Sequence, residues 1–154
     1  MSAELEVFDR LLEIALLIQE DLARSFAATD LTVSRTHLLW ELNRLGPSTQ
    51  NTLATALKVS PRNVTGLVDA LEASGYVARP PHPRHRRALV VTLTDRGSQT
   101  MARMEHERSQ IAAKLVADLD ADQQEELRQG LDSIVTRLQG LVSPATASGR
   151  KRSA

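Results

Sequence analysis

Between Ser48 and Arg96 the spacing of apolar residues changes from the period of a helix to that of a strand, and this change constrains the fold most. Two short stretches with helical spacing come first, separated only by Lys58 and Val59. From position 76 onwards two extended runs follow, and the apolar residues of the second, 89–93, alternate as they do in a β-strand with one buried face. Two short helices joined by a tight turn and followed by two strands predict a helix-turn-helix with a β-hairpin beside it.

The second of these short helices has clear boundaries. Ser60 and Pro61 open it, because Ser is a good N-cap and Pro is favoured at the first helical position. Gly75 ends it, since Gly readily takes the left-handed conformation found after helices. The preceding helix begins at Ser48 or Thr49, either of which can serve as its N-cap. Apolar residues with helical spacing on the second helix are Val64, Leu67, Val68 and Leu71.

The hairpin is predicted from two extended runs, residues 76–79 and 89–93, and from the chain between them. The connecting residues 80–88 contain three prolines and three arginines. Proline restricts the chain, so less conformational entropy is lost when such a tip becomes ordered. We therefore predict a long, stiff and basic tip.

Long helices are predicted on both sides of this segment. Residues 4–28 have helical apolar spacing, and Thr32 can cap the helix that follows. After the hairpin, Thr94 can cap a further helix, and Asp120 with Gln123 forms a capping box for the last. The predicted fold class is mainly α with a small β-hairpin wing, that is, a winged helix-turn-helix embedded in a helical dimerisation region.

The first helix has two apolar stripes instead of one. A helix that is apolar on two sides is normally buried on two sides. In a chain of 154 residues, one of those sides is expected to face another subunit. The two stripes are Leu5, Phe8, Leu12 and Leu16, and Val7, Leu11, Ile14 and Ile18.

Composition excludes several classes of protein. Cysteine is absent, which excludes disulfides, thiolate metal sites and thiol-based redox sensing. Aromatic residues make up only 3% of the chain, which favours packed helices over a β-sandwich. There is no run of about 18 apolar residues, and the acidic residues near the start argue against a secretory signal. We expect a cytoplasmic protein without a membrane partner or a cofactor.

The net charge of zero conceals a strong asymmetry along the chain. Residues 1–47 carry four basic and eight acidic side chains, whereas residues 48–97 carry seven basic and three acidic. Residues 98–154 carry eight of each. A segregated basic region is typical of proteins that bind polyanions, although a basic solvated loop would give the same count.

The helix that begins at Ser60 is the candidate recognition helix. The N-terminal residues of such a helix meet base edges in the major groove of DNA. Arg62 can pair with guanine and Asn63 with adenine, each through two hydrogen bonds. Ser60, Thr65 and the positive end of the helix suit phosphate oxygens. The candidate recognition residues are Ser60, Pro61, Arg62, Asn63, Thr65 and Gly66.

The basic hairpin adds a second candidate contact with DNA. Long cationic side chains on a stiff hairpin can reach a neighbouring minor groove, where negative potential is concentrated. An ordinary surface helix and a solubilising loop are the alternatives, but the two features side by side favour binding to double-stranded DNA. The candidate wing residues are Arg79, Arg84, His85, Arg86 and Arg87.

These residues resemble the MarR family of winged-helix regulators. The likeness spans nearly all of residues 5–142, and the ordered set of motifs is more specific than any single one. The matching stretches are Leu31-Thr32, Leu45-Gly46-Pro47, Leu53-Ala54, Val59-Ser60, Val64-Thr65, residues 67–77, Arg79, Arg86-Arg87-Ala88, Leu93-Thr94 and Gly97.

The resemblance implies a homodimer held by the first, fifth and sixth helices. It implies one recognition helix per subunit, placed in successive major grooves of a near-palindromic operator. Residues 1–30 and 98–142 would form the dimerisation region and residues 31–97 the winged helix-turn-helix. Residues 143–154 are small, polar and basic, and this composition predicts a disordered tail. It also implies a repressor that releases DNA when a small, commonly aromatic, anion binds between the two regions.

One position in the wing departs from the family pattern. The family usually has an acidic residue before the paired arginines Arg86 and Arg87, and this chain has His85. An imidazole cannot orient a wing arginine as an anion would. Two outcomes stay open: a looser wing, or an imidazole that joins the phosphate contacts. In the second case, because histidine titrates near neutral pH, DNA affinity is expected to rise as the pH falls.

A candidate effector pocket is formed by Leu12 and Phe26 from the first helix with His37 and Trp40 from the second. The alternative is that Trp40 is simply part of the core. The notable absence of a phosphate-binding loop and of cysteine argues against an enzyme. Two other functions stay open: a winged helix that binds proteins instead of DNA, and a metal-sensing variant in which His37, Glu41 and His106 converge.

Overall fold

A computed structural model describes residues 2–80 and 89–142 of the chain. The chain divides into two compact units, Met1–Glu105 and His106–Ala154. The mainly helical fold class is confirmed, with a small antiparallel sheet. In order, the elements are α1 (Ala3–Phe26), α2 (Val33–Leu45), α3 (Gln50–Leu57), α4 (Pro61–Ala73), β1 (Val77–Ala78), β2 (Thr92–Leu93), α5 (Asp95–Leu115) and α6 (Ala121–Val142).

The predicted helix caps are confirmed at the start of α2, α4 and α6. The Thr32 hydroxyl accepts a hydrogen bond from the Arg35 N–H at 3.2 Å, and the Ser60 hydroxyl plays the same role for α4. Before α6, Asp120 and Gln123 exchange the two hydrogen bonds of a capping box, at 3.0 and 2.9 Å. Each cap satisfies backbone N–H groups that have no partner within the helix.

The start of α3 resolves the choice between two cap residues. Thr49 is the cap, since its hydroxyl accepts from the Thr52 N–H at 3.2 Å. Ser48 instead pairs with Val91 in an antiparallel bridge, with N–H···O distances of 3.1 and 2.8 Å. This bridge joins the residues just before α3 to the residue just before β2.

The hairpin strands are shorter than the sequence predicts. Only Val77 with Leu93 and Ala78 with Thr92 pair in the described sheet. The predicted alternation over residues 89–93 is also wrong, because Val90 and Val91 are both buried while Leu89 is 52% exposed. The Val90 N–H donates to the Pro80 carbonyl at 3.3 Å, outside the regular β1–β2 register.

The hydrophobic core belongs to the first unit and is built mainly from α2, α3, α4 and the strands. Its largest fully buried side chains are Leu38, Leu39, Leu42, Leu53, Val64, Val68, Leu71, Val77 and Val91. Gly97 lets the start of α5 approach this core, because a Cβ there would lie 2.1 Å from the Tyr76 carbonyl oxygen. The core therefore fixes α4 and the base of the hairpin within one packed body.

The long helices α1 and α6 have no buried residues. Their apolar side chains are instead substantially exposed, for example Leu16 at 61% and Leu138 at 53%. In the described parts of the chain, none of the helices combines the length and apolar character needed to cross a membrane.

Candidate nucleic-acid interface

Helix α4 has one buried face and one free face. Val64, Val68 and Leu71 are completely buried in the core, and Leu67 is partly buried against it. The opposite face of its first turns is exposed, and it consists of residues 61–63, Thr65 and Gly66. The helical period alone produces this division, because the apolar residues recur three and four positions apart. The predicted recognition residues therefore lie on the exposed surface of α4.

The N-terminus of α4 is held in a defined conformation. The Ser60 hydroxyl accepts from the Asn63 N–H at 3.2 Å, and Pro61 occupies the first turn. A serine hydroxyl can also donate, which is what a phosphate oxygen requires. The positive end of the helix dipole also favours an anion at this point.

Thr65 makes contacts that the sequence did not reveal. Its hydroxyl lies 3.2 Å from the Gln50 side-chain oxygen on α3 and 3.0 Å from the Pro61 carbonyl. Gln50 thus links the first turns of the two helices, and no local pattern connects residues 15 positions apart. A phosphate contact through Thr65 would have to replace or share these bonds. Next to it, Gly66 borders open space, since a Cβ there would meet no atom within 4 Å.

The turn between α3 and α4 is tight. Lys58 adopts the left-handed conformation with φ of 54°, and the Val59 N–H donates to the Ala54 carbonyl at 3.1 Å. A non-glycine residue with positive φ is uncommon and needs support from its surroundings. Leu53 and Ala54, which precede the turn, are buried in the core. The turn sets the angle at which α4 is presented.

Arg79, a candidate wing residue, is held by two carboxylates of α4. Its guanidinium lies 2.6 Å from Asp69 and 3.0 Å from Glu72, and its side chain is 22% exposed. The hydrogen bonds that Arg79 donates to Glu72 and then to Asp69 raise the pKa of Arg79 further above its ordinary value. The positive charge is therefore compensated within the chain, and sequence reasoning missed both carboxylates. Contact of Arg79 with DNA stays a prediction.

The other wing residues, Arg84, His85, Arg86 and Arg87, lie outside the described residues. The contacts expected of them, and the pH response expected of His85, stay predictions. The predicted tail, residues 143–154, lies outside the described residues as well.

The four candidate effector-pocket residues differ in their surroundings. Phe26 and Trp40 are partly buried and pack against the hydrophobic core. Leu12 is 48% exposed, and His37 is exposed on α2. The packing of Trp40 agrees with the alternative that it is a core residue, and a ligand role for the four stays a prediction.

The metal-sensing alternative finds no preformed site in the described residues. Across 2–80 and 89–142, the structure groups no three His, Asp or Glu side chains closely enough to hold a metal ion. His37, Glu41 and His106 are therefore not such a group.

Comparison with known sequences matches residues 31–89 to the MarR family. The chain is also 35% identical over 96 residues to the transcriptional activatory protein BadR of Rhodopseudomonas palustris. That alignment covers 59% of this chain and 54% of BadR, so the matched part spans about half of the relative.

Comparison with solved structures extends the similarity to most of the chain. RV1404 from Mycobacterium tuberculosis is 30% identical with a TM-score of 0.70, over 88% of this chain and 94% of that protein. Streptococcus pneumoniae FabT, solved in complex with DNA, has a TM-score of 0.74 at 20% identity, over 88% and 95% of the two chains. The similarity to FabT supports the fold alone.

Proposed function

The chain belongs to the MarR family of DNA-binding transcriptional regulators, and from this premise we propose that it acts as a homodimer on a near-palindromic operator, as a ligand-responsive repressor. Like its relatives, it is a transcriptional regulator and not an enzyme. The observation that carries the proposal is the exposed N-terminal half of α4, opposite a helix face that is buried in the core.

The proposed contacts with DNA follow from the chemistry of that exposed half. Arg62 is exposed and can donate two hydrogen bonds to one guanine, and Asn63 can both donate to and accept from one adenine. Ser60 and the helix N-terminus suit a phosphate. We assign the wing residues Arg84 to Arg87 to the neighbouring minor groove, on the basis of their charge.

The proposed homodimer is supported by the unburied apolar residues of α1, α5 and α6. On α1, Phe8, Leu12 and Leu16 are each about half exposed or more. Ile111 and Leu115 on α5, like Leu138 on α6, are exposed as well. Large apolar side chains left exposed along a helix usually mark an interface. We assign residues 1–30 and 98–142 to dimerisation and residues 31–97 to DNA binding.

Symmetry of the dimer fixes the form of the operator. Two identical recognition helices related by a two-fold axis bind two inverted half-sites. If the helices occupy successive major grooves, the half-site centres lie about 10 base pairs apart.

Repression requires only that the dimer cover its operator, whereas activation requires a further surface for the transcription machinery. BadR is named as an activatory protein, but close to half of its length lies outside the match to this chain. We therefore favour a repressor that acts in the cytoplasm, where it meets DNA, and that releases DNA when a small anion binds. Mapping the bound genomic sites and the response of the adjacent genes tests the sign of regulation.

A salt titration separates this function from the alternative of a protein-binding winged helix. The dissociation constant for duplex DNA should rise steeply with salt, since phosphate contacts release condensed counterions. Fluorescence anisotropy of a labelled duplex between 50 and 200 mM salt measures it, with the Arg62→Ala variant as the test of α4. A flat salt response, or no binding at 50 mM salt, favours the protein-binding alternative.

A further inference from the structure

Thr65 lies on the exposed face of α4, one helical turn after Arg62. Residues three positions apart on a helix project from the same side, so a DNA groove that receives Arg62 also receives Thr65. Gly66 follows directly and has no side chain, and a Cβ built there would meet no atom within 4 Å. Gly66 therefore leaves room for a base edge beside Thr65.

The hydroxyl proton of Thr65 is already engaged within the protein. Its Oγ1 atom faces two acceptors, the Gln50 side-chain oxygen at 3.2 Å and the Pro61 carbonyl oxygen at 3.0 Å. A threonine hydroxyl has a single proton to donate, and a phosphate oxygen can only accept. A phosphate contact would take that proton away from both acceptors. This cost argues against the phosphate contact that the sequence suggests for Thr65.

The methyl group is the part of the Thr65 side chain that remains free to meet a ligand. The methyl and the hydroxyl are attached to the same carbon, so a bond that holds the hydroxyl also fixes the direction of the methyl. The bond to Pro61 lies within α4 itself, whereas the bond to Gln50 comes from the first residue of α3. Gln50 is partly buried, and it restrains Thr65 from a second helix.

We propose that the Thr65 methyl group contacts the C5-methyl group of a thymine in the major groove, and that Gln50 is the positioning residue that holds it there. Thymine is the one base of the four that carries a methyl group in this groove, and a threonine methyl is a suitable partner for it. The inference rests on the proposed DNA-binding function. It adds to α4 a third base contact, beside those proposed for Arg62 and Asn63.

Deoxyuridine tests this contact, because it replaces thymidine and removes only the C5-methyl group. The duplex is selected by the wild-type chain from a random-sequence library, and each thymine position is then replaced in both half-sites. Burial of one methyl-sized group favours binding about fourfold, so replacement at one position should weaken the symmetric operator about fifteenfold. Fluorescence anisotropy at fixed salt measures the two dissociation constants.

Two variants of Thr65 separate the methyl from the hydroxyl. Thr65→Ser keeps the hydroxyl and loses the methyl, so its affinities for the thymine and uracil duplexes should agree within about twofold. Thr65→Val has a methyl group at both γ positions and needs no hydrogen bond to present one, so it should retain the preference for thymine. Thr136→Ser is the matched control, because Thr136 is an exposed threonine of α6 that also donates to a carbonyl four positions earlier. It should leave the preference unchanged.

Two variants of Gln50 test the positioning role. Gln50→Ala removes the acceptor from α3, and the preference for thymine over uracil should fall about threefold or more, up to its complete loss. Gln50→Glu keeps a side-chain oxygen that can accept from Thr65. Its added negative charge should lower the affinity for both duplexes and leave their ratio unchanged. A purely structural role of Gln50 would alter the affinity for the two duplexes equally.

The inference would be overturned by a wild-type chain that tolerates uracil at every thymine position, or by equal preferences in the wild type and Thr65→Ser. An equal loss of affinity for both duplexes in Thr65→Val, with none in Thr65→Ser, would assign the hydroxyl to a phosphate instead. An unchanged preference in Gln50→Ala would show that Gln50 does not position Thr65. A chain that selects no duplex would contradict the proposed function itself, whereas one that selects a duplex but ignores the methyl group would contradict this contact alone.

Discussion

The winged helix-turn-helix and the long helices α1 and α6 differ in what a single chain can bury. In the first, Leu39, Leu53 and Val64 have no exposed surface at all. In the second, no residue is buried, although apolar side chains recur along both helices. The described core around α4 is therefore buried within one chain, whereas the apolar side chains of α1 and α6 stay exposed in it. The proposed homodimer buries those side chains, and each of the following changes tests one side of the contrast.

The largest effect is expected from a charge placed on the apolar face of α6. Leu138→Glu should weaken the dimer by about 3–5 kcal/mol, because a carboxylate buried without a partner is strongly unfavourable. Analytical ultracentrifugation measures the shift from dimer to monomer. Ser133→Glu is the matched control on another face of α6, and it should leave the dimer intact. Equal behaviour of the two variants would place the interface elsewhere.

A substitution in the core tests the buried half of this comparison. Leu53→Ala should lower the free energy of unfolding by about 2–5 kcal/mol, since it leaves a cavity in a fully buried site. Leu16→Ala removes a side chain that is 61% exposed in the single chain, and its effect should depend on protein concentration. Urea unfolding at two protein concentrations measures both. A concentration-independent loss in Leu16→Ala would argue that α1 packs within its own chain.

Changes in the exposed half of α4 should affect DNA binding and leave folding alone. Arg62→Ala and Asn63→Ala should each cost about 1–3 kcal/mol of binding free energy and relax specificity at one base pair. Fluorescence anisotropy titrations measure the affinity and the specificity, with a duplex selected from a random-sequence library and with its single-base variants. Arg128→Ala, which also removes an exposed arginine, is the control. Unchanged affinity and specificity in both α4 variants would mean that α4 does not contact bases.

Arg79 should behave differently from Arg62, although sequence analysis assigned both to the interface. Its charge is already compensated by Asp69 and Glu72, so Arg79→Ala should cost less DNA affinity than Arg62→Ala. The exposure of both carboxylates limits the loss of stability to about 1 kcal/mol or less. Thermal unfolding measures the stability and fluorescence anisotropy measures the DNA affinity, both on one sample. A larger loss of DNA affinity than in Arg62→Ala would assign Arg79 to direct contact.

The smallest expected effect is the part of the stability lost on acidification that comes from Glu125, in the first turns of α6. Hydrogen bonds from Arg128 and then Gln129 lower the pKa of Glu125 below its ordinary value. A group with a lowered pKa stabilises the folded state above its unfolded pKa, and that stability is lost as the pH falls through the folded pKa. Unfolding measured from pH 6 down to pH 3 should therefore decline less steeply in Glu125→Gln than in the wild type. Identical slopes would show that this ion pair does not persist in solution.

The features predicted from sequence are those that depend on near neighbours. The caps at Thr32 and Ser60 and the capping box at Asp120 join residues three positions apart, so a local pattern reveals them. The face of α4 that is exposed follows from the helical period in the same way.

The features that sequence analysis missed join distant parts of the chain. Ser48 pairs with Val91 instead of capping α3, and Val90 and Val91 are both buried where alternation was expected. The pairing of Arg79 with two carboxylates of α4, and the bond between Gln50 and Thr65, likewise depend on packing between separate elements. No short-range pattern encodes contacts that form only once the core has assembled.

The most direct measurement of the central claim is selection of bound duplexes from a random-sequence library by the purified chain, followed by sequencing. Two recognition helices related by a two-fold axis predict an enriched inverted repeat with half-site centres about 10 base pairs apart. A library without any enriched sequence would contradict DNA reading by α4, and a single unrepeated half-site would contradict the homodimer.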